Sequence, residues 1–254
     1  SVWFRLAARA GFAANGILHL AIGTIIAIVA AGGDAESDQT GAFRAIASVP
    51  LGFAALWAIA IALWALAAWH LLQAVLARGD GLERWGRVAS EIAQMLAFTA
   101  IGIVAAIVAS GAKPDAEQAA EGASRGILAV PGGPFLLGAI GAGVGIAGIS
   151  FVVMGVRRSF RTKVRIPEGA GGVALTILGV VGFVAKGAAL IVMGVLLVIA
   201  AITLEPTTAG GLDGAVQALQ AMTAGPALAW VVGLGFVSYG LFTLARAHFA
   251  KLDA

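Results

Sequence analysis

Few side chains in this sequence can do chemistry, and those that can sit inside long apolar runs. Asn15, Gln94 and Lys186 occupy matching places in three related segments. These are Gly11-Phe12-Ala13-Ala14-Asn15-Gly16, the weaker copy around Ser90 and Gln94, and Gly182-Phe183-Val184-Ala185-Lys186-Gly187. Carried by three helices around a common axis, they would form a polar ring inside the membrane. Glu91 lies one turn before Gln94, on a face from which it could pair with Lys186. Two readings stand open. In one, Asn15 and Gln94 hydrogen-bond neighbouring helices, worth about 0.6–2 kcal/mol each, while Lys186 pairs with Glu91 or reaches for the interface. In the other, the ring is a polar constriction or small-anion site centred on Lys186. A Schiff-base lysine is a third chemistry.

His19, His70 and Trp64 are secondary candidates. His19 falls midway along the first apolar run and His70 in the inner third of the second. Their depths differ by about 9 Å at 1.5 Å per residue. A shared metal would need further carboxylates or a third histidine, so no metal and no cofactor are expected. Hydrogen-bonded core histidines are the expectation, with His248 interfacial beside Arg246 and Lys251. The Trp64 indole needs an acceptor or a cavity. Trp57 and Trp69 read as belt anchors at opposite interfaces, as do Trp3 and Phe4 at the start. Asp34, Glu36 and Asp38 alternate like calcium ligands but lack the closing Glu of an EF-hand, so they read as solvated loop. Gly141-x-Gly143-x-Gly145-x-x-Gly148 lies within an apolar run and reads as a helix-packing face, not a phosphate loop. No nucleophile triad, zinc motif or carboxylate pair stands at catalytic spacing, and the expectation is a protein that is not an enzyme.

The surroundings of these residues are dictated by composition. Of 254 residues, 60% are hydrophobic and 11% are charged. Mean hydropathy is +0.98. A soluble domain carries about 25% charged residues, so this chain could not cover a water-soluble globule. Disorder is excluded by the same numbers. The absence of Cys removes disulfides and thiolate chemistry. What remains is an all-α membrane protein. Apolar runs long enough to cross a bilayer core of about 30 Å occur six times: Ala10 to Ala31, Leu51 to Ala77, Val88 to Ser110, Pro134 to Val156, Val173 to Ala201 and Pro226 to Ala247. The first reads as a helix that stays, not a cleaved signal. The fifth is too long for a simple span. It should either tilt strongly or carry over Gly171 to Leu178 a separate interfacial or cytoplasm-projecting segment.

Charge sets the orientation. Of the 16 basic residues, twelve flank alternate ends: Arg5, Arg9, Arg78, Arg84, Arg87, Arg157, Arg158, Arg161, Lys163, Arg165, Arg246 and Lys251. The positive-inside rule puts these ends and both termini in the cytoplasm. The opposite loops hold the acids Asp34, Glu36, Asp38, Asp115, Glu117, Glu121, Glu205 and Asp213. The dense run Arg157, Arg158, Arg161, Lys163 and Arg165 should contact anionic lipid headgroups, at about 1 kcal/mol per residue. Nucleic acid is not an expected partner, because the basic residues are divided among helix ends.

The segments repeat. Asn15 and Lys186 are related by a shift of 171 residues, and Asn15 and Gln94 by 79. Trp57 and Trp230 are related by 173; Gly141, Gly143 and Gly148 match Gly233, Gly235 and Gly240 at 92. The copies cover 5–80, 84–160 and 171–254 of one transmembrane domain, 1–254. Each is a hairpin of two helices joined by an acidic outer loop. All three start on the same side, so the expected architecture is six transmembrane helices as three parallel hairpins with pseudo-threefold symmetry about the membrane normal.

This pattern resembles the bacterial membrane family catalogued as domain of unknown function 1206. The likeness is carried best by Gly211-Leu212-Asp213-Gly214-Ala215, Ala224-Gly225-Pro226 and Gly233-Leu234-Gly235-Phe236-Val237-Ser238-Tyr239-Gly240-Leu241-Phe242. The middle copy keeps Gly133-Pro134 but has no Tyr. The resemblance implies fold and topology and carries no activity. The functional expectation is a structural or accessory protein of a membrane complex. The alternatives are a solute or ion path near Lys186, and a binder of lipid or another hydrophobic ligand.

Overall fold

The computed structural model describes residues 2–33 and 35–251, and side chains from Arg5 onward. The described residues form nine α-helices and two short 3-10 turns. Three long–short–long units follow one another. The first is α1 (Val2–Ala30), α2 (Gln39–Ala47) and α3 (Gly52–Val75). The second is α4 (Gly81–Ala109), α5 (Ala116–Leu128) and α6 (Gly133–Val156). The third is α7 (Ala170–Thr203), α8 (Gly211–Gln220) and α9 (Gly225–Phe249). The six long helices are apolar and long enough to cross a membrane. The chain is a multi-pass membrane protein. With no water to satisfy exposed peptide groups in a bilayer core, the helix is the local solution that such apolar runs must adopt.

α7 resolves the long fifth span. It is one unbroken helix of 34 residues, about 50 Å at the standard rise, so Gly171 to Leu178 continues the span and is not a separate interfacial helix. Its first turns are packed by Phe160, which lies in the turn Ser159–Thr162 and fills the space a side chain at Gly179 would need. A short antiparallel bridge joins Val164 to Ala250 beside it. There the Arg165 N–H donates to Phe249 O at 2.8 Å and the Lys251 N–H to Lys163 O at 3.1 Å.

The acidic connections differ from the expected loops. Each holds a short amphipathic helix. The Asp38 carboxylate accepts the Gly41 N–H at 2.9 Å and that of Asp115 accepts the Gln118 N–H at 2.9 Å, so two of the acids are helix caps. Asp38 and Asp213 are buried. Asp213 accepts from the Ser37 N–H and from Gln217 Nε2, both at 2.7 Å, and ties α8 to the first connection. The segment read as a solvated loop is therefore a packed cap; Asp34 lies outside the described residues. In all three units the glycine that opens the descending helix (Gly52, Gly133, Gly225) presses on a carbonyl of the preceding short helix: Ile46, Ile127 or Gln220. No Cβ fits there.

Long helices pack in the spatial order α4, α3, α1, α9, α7, α6. The tight pairs α1–α9, α6–α7 and α3–α4 share one register. Gly23 meets Val237, Gly194 meets Gly145 and Gly102 meets Trp64. These contacts are related by the sequence shifts above. Gly16 likewise meets Gly240, and Gly187 meets Gly148. Small residues let helix backbones approach where lipid supplies no hydrophobic drive. Within hairpins, Gly11 of α1 meets Leu66 of α3 and Gly182 of α7 meets Tyr239 of α9. The corresponding pair in the second unit, Ser90 and Ala147, is exposed on both sides. α4 and α6 form no comparable packing, and the threefold arrangement expected from the repeats is not completed there.

A Cβ at Gly187 would lie 2.6 Å from the Gly148 carbonyl oxygen. Gly187→Leu should therefore destabilise the α6–α7 pair by about 1–3 kcal/mol, read as a lower thermal midpoint in detergent. A second expectation concerns the acidic cap. Burial, followed by the fields of Asp213, Glu121, Asp115 and Asp38, pushes the Glu117 carboxyl above its ordinary 4.5. A carboxyl raised in the folded state stabilises the fold below its unfolded pKa, and that contribution is lost as pH rises through the folded value. Glu117→Gln should thus raise the thermal midpoint at pH 7 and leave it unchanged near pH 4, where wild type is already protonated.

Candidate functional site

Apart from the acidic cap, two polar clusters lie among the long helices. One cluster is centred on His19. Its Nδ1–H donates to the Asn15 carbonyl oxygen one turn earlier, at 2.8 Å. That bond assigns the tautomer and leaves Nε2 as an acceptor. Lys186 Nζ, from α7, donates to it at 3.0 Å. The ammonium also lies 4.4 Å from the Tyr239 ring centroid and 5.3 Å from that of Phe151, a cation–π setting. Phe236 stacks on the imidazole with centroids 5.8 Å apart. Among the described residues no carboxylate pairs with Lys186. Asn15 is buried, and its side-chain Oδ1 has no hydrogen-bond partner.

The second cluster joins α3 to α4. His70 Nδ1 and Glu91 Oε2 are 2.6 Å apart, and Phe98 stacks on the imidazole at 5.4 Å. Glu91 is thus engaged by His70, not by Lys186 as the spacing suggests. The repeat register gives the reason. Glu91 corresponds to Phe183, and His70 to Phe151. Phe183 and Phe151 meet across α6–α7 with ring centroids 5.6 Å apart. Position 91 therefore points into the tight interface with α3. Arg246 lies nearby, its guanidinium 4.2 Å from the Phe12 ring centroid and its Nε without a partner. Phe12 is itself the first-repeat counterpart of Glu91.

Of the expected ring, the structure brings Asn15 and Lys186 to one imidazole and leaves Gln94 apart. Gln94 Nε2 donates to the Ser90 carbonyl of its own helix at 3.3 Å. The Trp64 indole N–H donates to Thr99 O at 3.3 Å. Trp57 is exposed, but Trp69 is buried with Ala8, Phe12 and Leu66 and is not a belt anchor. A helical face turned toward a neighbouring helix is invisible to a rule based on depth alone. The side chains of Trp3 and Phe4 lie outside the described residues. In the basic run, Arg157, Arg158, Arg161, Lys163 and Arg165 are exposed while Phe160 and Val164 anchor the turn inward. Sequence reasoning missed Tyr239 and Phe151 as neighbours of Lys186. The available signal was Tyr239 itself, the chain's single tyrosine, in register with the in-hairpin contact Leu66.

Around and beyond His19 the core is apolar. Leu18, Ile22, Ile26, Phe43, Leu56, Leu63, Ala105, Val108 and Phe236 belong to one buried apolar cluster, closed by Leu212 and Val216 of α8. No group of acids, histidines or cysteines among the described residues could hold a metal ion.

Fold and clusters together define a polytopic membrane bundle of three tandem helical hairpins with two polar clusters among the long helices. The chain belongs to the family described as Domain of Unknown Function (DUF1206), matched three times, at residues 10–77, 91–158 and 181–250. It is also similar to the uncharacterized protein YxxB of Bacillus subtilis (strain 168). The two are 26% identical over 255 residues, covering 98% of this chain and 92% of the relative. No solved structure matches.

The register supplies a test of the His70–Glu91 pair. Removing one partner of a hydrogen bond to a charged group costs about 1.5–3 kcal/mol, whereas replacing both by apolar groups of similar shape is often nearly neutral. His70→Ala should lower the unfolding midpoint sharply. His70→Phe with Glu91→Phe, which copies the Phe151–Phe183 contact, should restore most of it in thermal scans of the detergent-solubilised protein.

Proposed function

We propose that the chain is a non-catalytic accessory protein of a bacterial inner-membrane complex, with both termini in the cytoplasm. The splayed second hairpin carries this reading. α6 rests on α7 through one face, and a Cβ at Gly143 would meet nothing within 4 Å. Its third-repeat counterpart, Gly235, lies against Ala185 of the neighbouring helix. Ser90 and Ala147 repeat the contrast. Positions that elsewhere receive a helix are open on α4 and α6, which suits a transmembrane helix of a partner protein better than disordered lipid tails. Small exposed residues permit the close approach on which helix association in lipid depends.

The exposed run Arg157, Arg158, Arg161, Lys163 and Arg165 would rest on anionic headgroups beside that gap. The apolar core cluster closed by α8 offers no polar lining for a water path past Lys186, so transport ranks below the accessory role.

Photo-crosslinking residues at Gly143 and Ala147, in cells, test the proposal. Val231 on the exposed face of α9 serves as the control position. The expected result is one protein adduct, identified by mass spectrometry as containing a transmembrane helix, at the first two positions and not at the third. Adducts with lipid alone, or with a second copy of this chain, would overturn it.

A further inference from the structure

We infer that Lys186, His19 and Asn15 form a binding site for a monovalent carboxylate. The inference uses residues other than those of the partner-docking face and holds whether or not a partner binds there.

A lysine deep in an apolar bundle is normally balanced by an acid. Among the described residues the basic side chains bonded to a carboxylate include Arg44, on Glu36, and His70, on Glu91. Lys186 has an imidazole nitrogen and two ring faces instead. His19 Nε2 takes one ammonium hydrogen, and the His19 tautomer is fixed by Asn15 O. The ammonium carries three donors, so two remain for an incoming acceptor. Lys186 itself is only partly buried.

The orphaned amide is the independent pointer. Asn15 lies on the same face of α1 as His19, four residues away, and is 3% exposed. Its Oδ1 meets no donor. Turning the amide over forfeits no hydrogen bond to that oxygen and presents Nδ2–H as a donor. Once turned over, the amide N–H could donate to an anion held by Lys186.

Charge sets the class of ligand. The site offers one fixed cation and no second one bonded to it, so it neutralises a single negative charge. Phe151, Phe236 and Tyr239 line it. A carboxylate on an apolar body fits this better than a divalent, strongly hydrated oxyanion, whose desolvation a single lysine could not offset. Two sources share that chemistry: a fatty acid dissolved in the bilayer, and a short water-borne acid arriving from the basic end.

The test uses the full-length protein in a non-ionic detergent, with carboxyl-labelled dodecanoate and acetate followed by NMR and native mass spectrometry. One dodecanoate per chain is expected. Lys186→Met should weaken it about tenfold or more and Lys186→Arg by about threefold or less. Dodecanol should bind far more weakly than dodecanoate to the wild-type chain, a comparison that needs no variant to fold. Displacement of dodecanoate by equimolar acetate would support the site and assign it to water-borne acids; failure of acetate to compete would support it and assign it to fatty acids. Dodecanol binding as tightly as dodecanoate, unchanged affinity in a folded Lys186→Met, or no uptake of either acid would overturn the inference. Absence of crosslinks at Ala147 bears on the docking face and not on this site.

Discussion

Hydrocarbon is the solvent these helices meet, and it removes the usual reason for helices to associate. Burying leucine against leucine gains little when the alternative neighbour is an acyl chain. What remains is close contact, and close contact needs small residues. The three tight interfaces obey this in order of their glycine content. α6–α7 and α1–α9 bring Gly187 against Gly148 and Gly16 against Gly240. In α3–α4 the equivalent places hold Met95 and Ala67, and Trp64 covers Gly102. That pair is held instead by the His70–Glu91 bond, which is strengthened by its low-dielectric surroundings.

One architectural position thus carries three kinds of contact. In α6–α7 it is a stack of Phe151 and Phe183; in α3–α4 it is an imidazole and a carboxylate; in α1–α9 the counterparts are Phe12 and Thr243, and Phe12 is covered from one turn further along by the Arg246 guanidinium. The backbone register is common, and the chemistry has diverged on it. The same divergence separates Asn15, Gln94 and Lys186. Repetition makes them equivalent in position without making them partners, because each answers to the residues its own neighbours supply.

Much of this was legible in the chain itself. Charge-free runs located all six spans, four of them within three residues at each end, while α1 and α4 start eight and seven residues earlier because their charged first turns are helical too. The glycine spacings located the repeats, because close approach is a local property. The short helices α2, α5 and α8 were not legible to the same argument. A run broken by acids reads as loop when only hydropathy is counted, although Asp38 and Asp115 each stand just before a helix as N-caps. Partner choice was harder still. Spacing placed Glu91 one turn from Gln94 and suggested Lys186. Which neighbour a face meets depends on helix order in space, and that order is set by interfaces far apart in sequence. The aligned aromatic pair Phe151 and Phe183 held the missing information.

The open second hairpin follows from the same physics. Nothing in lipid penalises an apolar helix for standing alone, so α4 and α6 need no contact with each other once each is held by its outer neighbour. In the first and third units the two helices are also joined through buried side chains: Leu66 on Gly11, and Tyr239 on Gly182. Both pairs set a large side chain against a glycine. In the second unit Ala147 stands where the large partner would be and Ser90 where the glycine would be, so knob and socket are absent together. Two matched, shallow surfaces remain, and a third helix could fill both only by carrying bulk of its own. The substitution that opens the hairpin therefore also describes what would close it: a helix with large apolar side chains directed at Ser90 and Ala147.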